Sequence, residues 1–165
     1  MDRLEVLGRI STSRAELEDL LQAVPVEKMD QPLGDGWSLK QHVAHIAAWE
    51  ASLVALLRRQ SRPAAMGVPD DIWAAHEIDA INASIANAAA PETFESVLRR
   101  FHAIHGEVLT ELKKLTDADL TRPYSDFDTN PAYATEPIEG HLGFDTFDHY
   151  EEHIGWLRAG LAPAS

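Results

Sequence analysis

Apolar residues recur at three- and four-residue intervals through most of the chain, the period that lays a stripe along one face of an α-helix. In residues 2–24 the stripe is Leu4, Leu7, Ile10, Leu17, Leu21 and Val24. Ser13 and Glu16 have capping-box spacing, which would split the segment, but the unbroken stripe favours one helix. It ends at Val24-Pro25, because the residue before proline avoids the α region. After a connector with Pro32, Gly34 and Gly36, the run Trp37-Ser38-Leu39-Lys40-Gln41 reads as a helix start. Ser38 is the N-cap, Gln41 its reciprocal partner, and Trp37 a staple residue against His42 or Val43. This second helix runs to about residue 60 on Leu39, Val43, Ile46, Leu53 and Leu57, with His42, His45 and Trp49 beside the stripe.

Residues 61–69 read as a Pro/Gly loop. Asp70 or Asp71 then caps a narrow-striped helical stretch to about residue 87, bent or peripheral, carrying Ile72, Trp73, Ile78, Ile81 and Ile85. Pro91-Glu92-Thr93 opens the most regular amphipathic helix, since proline is accepted in a first turn. Its apolar face is Phe94, Val97, Leu98, Phe101, Ile104, Val108, Leu112 and Leu115. Asp117 with Leu120 adds a short helical turn. Residues 122–138 hold three prolines and no strand pattern. Loops of that length generally cover a site or bind something, so this one reads as a lid that brings Tyr133 near the site. A last helix spans 139–160, and Pro163 closes the chain. The pattern predicts an all-α fold, a four-helix bundle with additional shorter helical segments, in one domain over residues 1–165.

Composition narrows the function classes. Hydrophobic residues make up 45% and charged residues 25%, ordinary for a soluble globular protein. No apolar run reaches the ~18–20 residues of a membrane span, and the first turns mix acids, arginine and leucines, so a cytoplasmic location is expected. With no cysteine there is no disulfide, thiolate nucleophile or cysteine metal site. The net charge of -13 argues against nucleic-acid binding. Arg58, Arg59 and Arg62 form the densest basic group, too short for a duplex-binding face, and read as complementing a helix C-terminus.

The eight histidines are the candidate chemistry. On a helix, residues four apart project side by side, about 40° apart around the axis and about 6 Å along it. His149 and His153 therefore form a pair beside the apolar stripe of Phe147, Tyr150, Ile154 and Leu157. Two imidazoles on one rigid element can hold a metal ion with a third ligand from elsewhere. His42 and His45 are interchangeable for that role on spacing. His76 and His102 read as exposed, the i, i+3 pair His102 and His105 as facing water, and His141 as a contact for the preceding loop. No histidine follows a glutamate by three residues, which excludes the carboxylate-bridged di-iron pattern. Residues 149–153 spell H-x-x-E-H, but no acid follows Glu152 to complete an inverted zincin site. There is no G-x-S-x-G and no Gly-rich phosphate loop.

Trp37-Ser38, then His45 and Trp49-Glu50, followed at the far end by His149-Tyr150-Glu151-Glu152-His153, resembles the paired signatures of the DinB/YfiT-like four-helix proteins, including their ClbS/DfsB-type branch. The likeness covers nearly the whole chain in helix order and spacing. It implies a divalent metal, zinc, nickel or iron, held by His45 from the second helix and by His149 and His153 from the last. It also implies a metal-dependent transferase or hydrolase acting on a small molecule, with a low-molecular-weight thiol as co-substrate, in a homodimer. The alternative is a small-molecule binding or self-resistance protein without turnover. Three neutral imidazoles leave coordination positions open, as a catalytic site requires. Asp145, Glu50 or Glu152 could orient the imidazoles, with surface charge as the competing reading, above all for Glu152. Trp49, Tyr150 and Trp156 could line a pocket, but their helical spacing favours aromatic core.

Overall fold

A computed structural model describes residues 1–34 and 36–161; Pro163, read as closing the chain, lies outside them. Helix α1 spans Arg3–Ala23 without a break and is capped by Asp2, whose carboxylate accepts the Glu5 N–H. Ser13 starts no second helix: it is buried and donates to Glu151. The buried stripe is Val6, Ile10, Leu17 and Leu21, while Leu4 is 72% exposed, so the true face is rotated from the one predicted.

Helix α2, Leu39–Leu57, begins with the predicted capping box between Ser38 and Gln41. It ends three residues before the expected limit. Arg59 turns left-handed at φ 56°, and the Gln60 N–H returns to the Ala55 carbonyl at 2.8 Å, a Schellman closure without glycine. Nearly every side chain from Leu39 to Leu56 is buried. A helix covered on all sides is a core helix, and each buried Leu, Ile or Val there contributes about 1.5–3 kcal/mol.

The segment after α2 differs from the reading of a loop followed by one helix. It forms α3 (Arg62–Met66), α4 (Asp70–Ala74) and α5 (Ile78–Ala89). The break between α4 and α5 falls at His76, whose φ is 57°. Helix α6 spans Phe94–Lys114 and buries Val97, Phe101, Val108 and Leu112, as its stripe predicts. Helix α7 is Asp117–Leu120.

The predicted last helix is two. Helix α8, Ile138–Phe144, stops at Asp145, and α9, Phe147–Leu161, begins after Thr146. Thr146 Oγ1 donates back to the Leu142 carbonyl, bending the chain here. The bend lays Phe147 and Asp148 over Gly143, where a Cβ atom would stand 2.7 Å from Asp148 Oδ2. Only glycine admits that approach.

Contacts set the helix directions. Arg9 with Asp148 and Glu16 with Arg158 run α1 and α9 parallel. Lys40 with the Glu92 carbonyl and Arg58 with Glu107 and Glu111 run α2 parallel to α6. Arg14 with the Phe101 carbonyl and Arg3 with that of Lys113 make α1 and α6 antiparallel. Two parallel neighbours need a returning connection, and α3 to α5 supply it. There they cover the outer side of α2 with a small cluster of Trp49, Met66, Val68, Ile81 and Ile85. The fold is all-α, with α1, α2, α6 and α9 as the bundle, and no strand occurs among the described residues. Residues 122–138 are tied at their base by Tyr124 N–H to Glu136 O, 2.7 Å, and Ile138 N–H to Arg122 O, 2.9 Å.

Candidate metal centre

The antiparallel contact of α2 with α9 brings the two histidine motifs together. His45 Nε2 lies 2.9 Å from His149 Nε2, and His153 Nε2 lies 3.1 Å from the same atom. One nitrogen from each of the three residues falls within 4.8 Å of the others. Two nitrogens bound tetrahedrally to one ion at 2.0–2.1 Å stand about 3.3 Å apart, so the spacing is close to that of a chelating set.

His42 stands outside this set. Its Nδ1 faces Nδ1 of His153 at 3.0 Å. With the His153 Nε2 lone pair turned into the cluster, its Nδ1 carries the proton and donates to His42, an arrangement that holds the ring in place. Tertiary contact thus separates His42 from His45, which spacing alone leaves equivalent. Trp37 packs against both, at ring distances of 5.5 and 5.3 Å, as the staple position predicts for His42.

Burial keeps the rings neutral. It lowers His45 to about 2, helped by the neighbouring His149 and His42. It lowers His149 to about 4 and His153 further still, the latter with help from His149, His45 and His42. Neutral imidazoles present lone pairs, the form in which they bind a metal. Nδ1 of His45 and of His149 has no hydrogen-bond partner among the described residues. The chemistry of the donor set is compatible with a metal site.

The cluster forms one wall of a cavity of about 620 Å³. Trp37, Trp49 and Trp156 flank the histidines, and Ile78, Asn82 and Phe144 also line the space. The Trp49 indole donates to Asn82 Oδ1 at 3.2 Å, tying α5 to α2 at the rim. Nothing in the sequence pattern marks Asn82, because its role depends on α5 folding back over α2. Tyr150 is buried in the bundle core, as its place in the apolar stripe predicts.

The acids expected to orient the imidazoles do other things. Glu50 is fully buried, accepts from Arg14 Nη1 at 3.2 Å on both oxygens and from the Tyr150 hydroxyl, and lies 2.8 Å from His105 Nδ1. This corrects the reading of His105 as facing water. Burial, with Glu50 beside it, raises Tyr150 well above the usual phenol range. Asp145 lies beside Arg62, with Oδ2 at 3.6 Å from Nη2. Burial raises it to about 7, against the pull of Arg62. Glu152 is exposed on the cavity rim. His76 and His102 are exposed, as read.

The loop is not a lid over the histidines. Asn130, Tyr133 and Glu136 line a second cavity of about 420 Å³, next to the first. The reason is the base of the loop, pinned by backbone hydrogen bonds beside the start of α8 rather than beside α9. Tyr133 packs on Tyr124 and on His141, at ring distances of 5.7 and 5.1 Å, so His141 does meet the preceding loop. Arg62 also departs from its reading: it is buried, donates to Ser52 and to Tyr124, and complements no helix end.

The pattern of the DinB superfamily matches residues 9–157. The chain belongs to that superfamily. Among solved structures, an uncharacterised protein from Escherichia coli UTI89 is similar, with TM-score 0.74 and 19% identity over 96% of this chain and 92% of that one. A protein from Streptococcus pneumoniae is also similar, with TM-score 0.75 and 10% identity over 96% and 89%. At such identities the likeness is one of fold. No curated protein matches. Within this DinB chain no helix among the described residues is long and apolar enough to cross a membrane.

Proposed function

We propose that this DinB-superfamily protein is a metal-dependent enzyme with a mononuclear three-histidine centre. His45, His149 and His153 would hold one divalent ion, zinc, nickel or iron, and the reaction is transfer to, or hydrolysis of, a small molecule. The convergence of three neutral Nε2 atoms at 2.9 and 3.1 Å on the wall of an open cavity carries this reading. When bound there, a divalent ion supplies a Lewis acid that polarises an acceptor oxygen and acidifies a coordinated water or thiol.

The chain's own residues have separable tasks. His42 fixes the ring of His153 through the Nδ1 contact. The indoles of Trp37, Trp49 and Trp156 keep the imidazoles dry and offer flat apolar surface to a substrate. Asn82, accepting from Trp49, keeps its amide NH₂ available to a substrate oxygen. Since the chain has no cysteine, a thiol nucleophile has to enter as a co-substrate. The cavity volume and the net charge of -13 both favour a small molecule over a nucleic acid.

Elemental analysis of untagged protein tests the centre: close to one divalent ion per chain in wild type, and loss of most of it in His149→Ala. A panel of electrophiles with low-molecular-weight thiols then tests turnover. Metal-dependent conjugation supports the enzyme. Tight binding of a panel member without turnover supports a sequestering protein, and absence of metal uptake overturns the proposal.

A further inference from the structure

The second cavity has a polar floor that its own residues leave incomplete. Arg62 and Asp145 are 7% and 1% exposed, whereas Tyr133 and Phe144 at the mouth are 40% and 65% exposed. The guanidinium is held on two sides: Nε donates to Ser52 Oγ at 2.7 Å and Nη1 to the Tyr124 hydroxyl at 2.6 Å. It also lies over the Trp73 ring, 5.3 Å from the centroid. Held in this way, it stops 3.6 Å short of Asp145, beyond hydrogen-bond reach. Neither oxygen of Asp145 has a hydrogen-bond partner among the described residues. Buried carboxylates are normally satisfied, and an unsatisfied one that lines a cavity marks a place where a ligand donor fits.

We infer that this cavity is a binding site for a neutral, planar group carrying an N–H donor beside a C=O acceptor: a carboxamide, lactam or urea, on or next to a ring. The N–H donates to Asp145 and the carbonyl accepts from Arg62 Nη2, closing the gap between them. Charge selects against the alternatives. A cation meets Arg62 and an anion meets Asp145, and either leaves an uncompensated charge in a buried place. A neutral donor–acceptor edge satisfies both members and leaves the pair balanced. Trp49, Trp73, Tyr133 and Phe144 supply flat walls for the attached ring.

The site adjoins the histidine cavity, sharing Trp49, Ile78 and Phe144 with it. A group seated on Arg62 and Asp145 therefore directs the rest of an elongated molecule past Trp49 toward His45 and His149. That role as the non-reacting end of a substrate rests on the metal-enzyme reading; the ligand chemistry of the pocket does not.

Benzamide, benzoate and benzylamine are the probes, one neutral and two charged at the same size, followed at pH 8, above the raised value of Asp145, through the tryptophan indole resonances of the full chain. Benzamide is expected to shift the Trp73 and Trp49 signals and to bind at least about tenfold tighter than either charged analogue, the value of one hydrogen bond to a charged group. Asp145→Asn should weaken benzamide about tenfold and bring benzoate up, inverting the preference. At Gly140, on the cavity wall, an added Cβ meets nothing within 4 Å. Gly140→Leu adds a side chain at the cavity wall and is expected to weaken binding of all three. Benzoate or benzylamine binding as well as benzamide in wild type, no benzamide binding at all, or binding unchanged in both variants would overturn the assignment. Repeating the titration on His149→Ala separates the two sites: benzamide binding is expected to persist where metal uptake is lost.

Discussion

Nδ1 of His42 lies 3.0 Å from Nδ1 of His153, so a histidine that belongs to neither end of the metal motif sets the orientation of one that does. Removing such a partner lowers metal affinity about 10–100-fold in comparable centres. His42→Phe should therefore keep one zinc per chain at saturating metal but raise its Kd by about that factor. His45→Ala, which removes a nitrogen of the cluster itself, should lose stoichiometric binding. Competition titration against a chromogenic chelator distinguishes the two, and equal losses would place His42 among the ligands.

Acid should weaken the fold first and release the metal only at lower pH. The folded-state values of His45, about 2, and His149, about 4, lie below the unperturbed ~6.5. Their contribution is therefore full above about pH 6.5 and is lost as pH falls from there toward 4. Asp145, raised to about 7, acts in the opposite sense, favouring the folded state as pH drops from 7 toward 4, but it is one group against three. With zinc or nickel at 100 times Kd, stabilisation at pH 8 should be about 2.7 kcal/mol, a melting shift of about 5–10 °C. At pH 5 that shift should be largely retained, because these imidazoles are still neutral in the folded state, and it should collapse as pH falls through about 4. In His149→Ala it should be nearly absent at pH 8 and pH 5 alike. His76→Ala should behave as wild type.

Glu50 and Arg14 form a buried pair in the middle of the bundle, 0% and 3% exposed. Arg14→Met removes the cation from the buried carboxylate, leaving it the Tyr150 hydroxyl and His105, and should cost about 3 kcal/mol in urea denaturation. Arg14→Met with Glu50→Gln removes both charges and should recover much of that loss. A double variant no more stable than the single one would mean that the pair contributes through packing alone.

Gly143 lets the start of α9 close down on α8. Gly143→Ala puts a methyl group 2.7 Å from Asp148 Oδ2 and 2.9 Å from the Phe147 ring. The exposed Asp148 carboxylate can swing away, but the buried Phe147 ring has to give, and Phe147 shares the first turn of α9 with His149. We expect a loss of about 1–3 kcal/mol in thermal stability and weaker metal binding. Gly140→Ala, in open space on the same helix, should leave stability unchanged or raise it by up to about 1 kcal/mol.

The bundle helices were legible because burial leaves a periodic trace. Val97, Phe101, Val108 and Leu112 had to recur at three and four residues to share one face of α6, and the Ser38 capping box is wholly local. The histidine pair of α9 was legible for the same reason, since i and i+4 on one helix fix their adjacency. The breaks at His76 and Asp145 were not, because a bend made by a left-handed residue or by Thr146 bonding to Leu142 hardly disturbs the apolar period.

The sequence by itself determined the long helices α1, α2 and α6, the apolar faces of α2 and α6, and the two histidine motifs. Only the tertiary structure decided that His45 rather than His42 meets His149, that Glu50 serves Arg14, Tyr150 and His105 instead of an imidazole of the cluster, and that the 122–138 loop walls a second cavity. Helical periodicity constrains neighbours within a turn or two. Which side chain two helices bring face to face depends on their relative rotation and offset, and those are set by packing across the whole bundle.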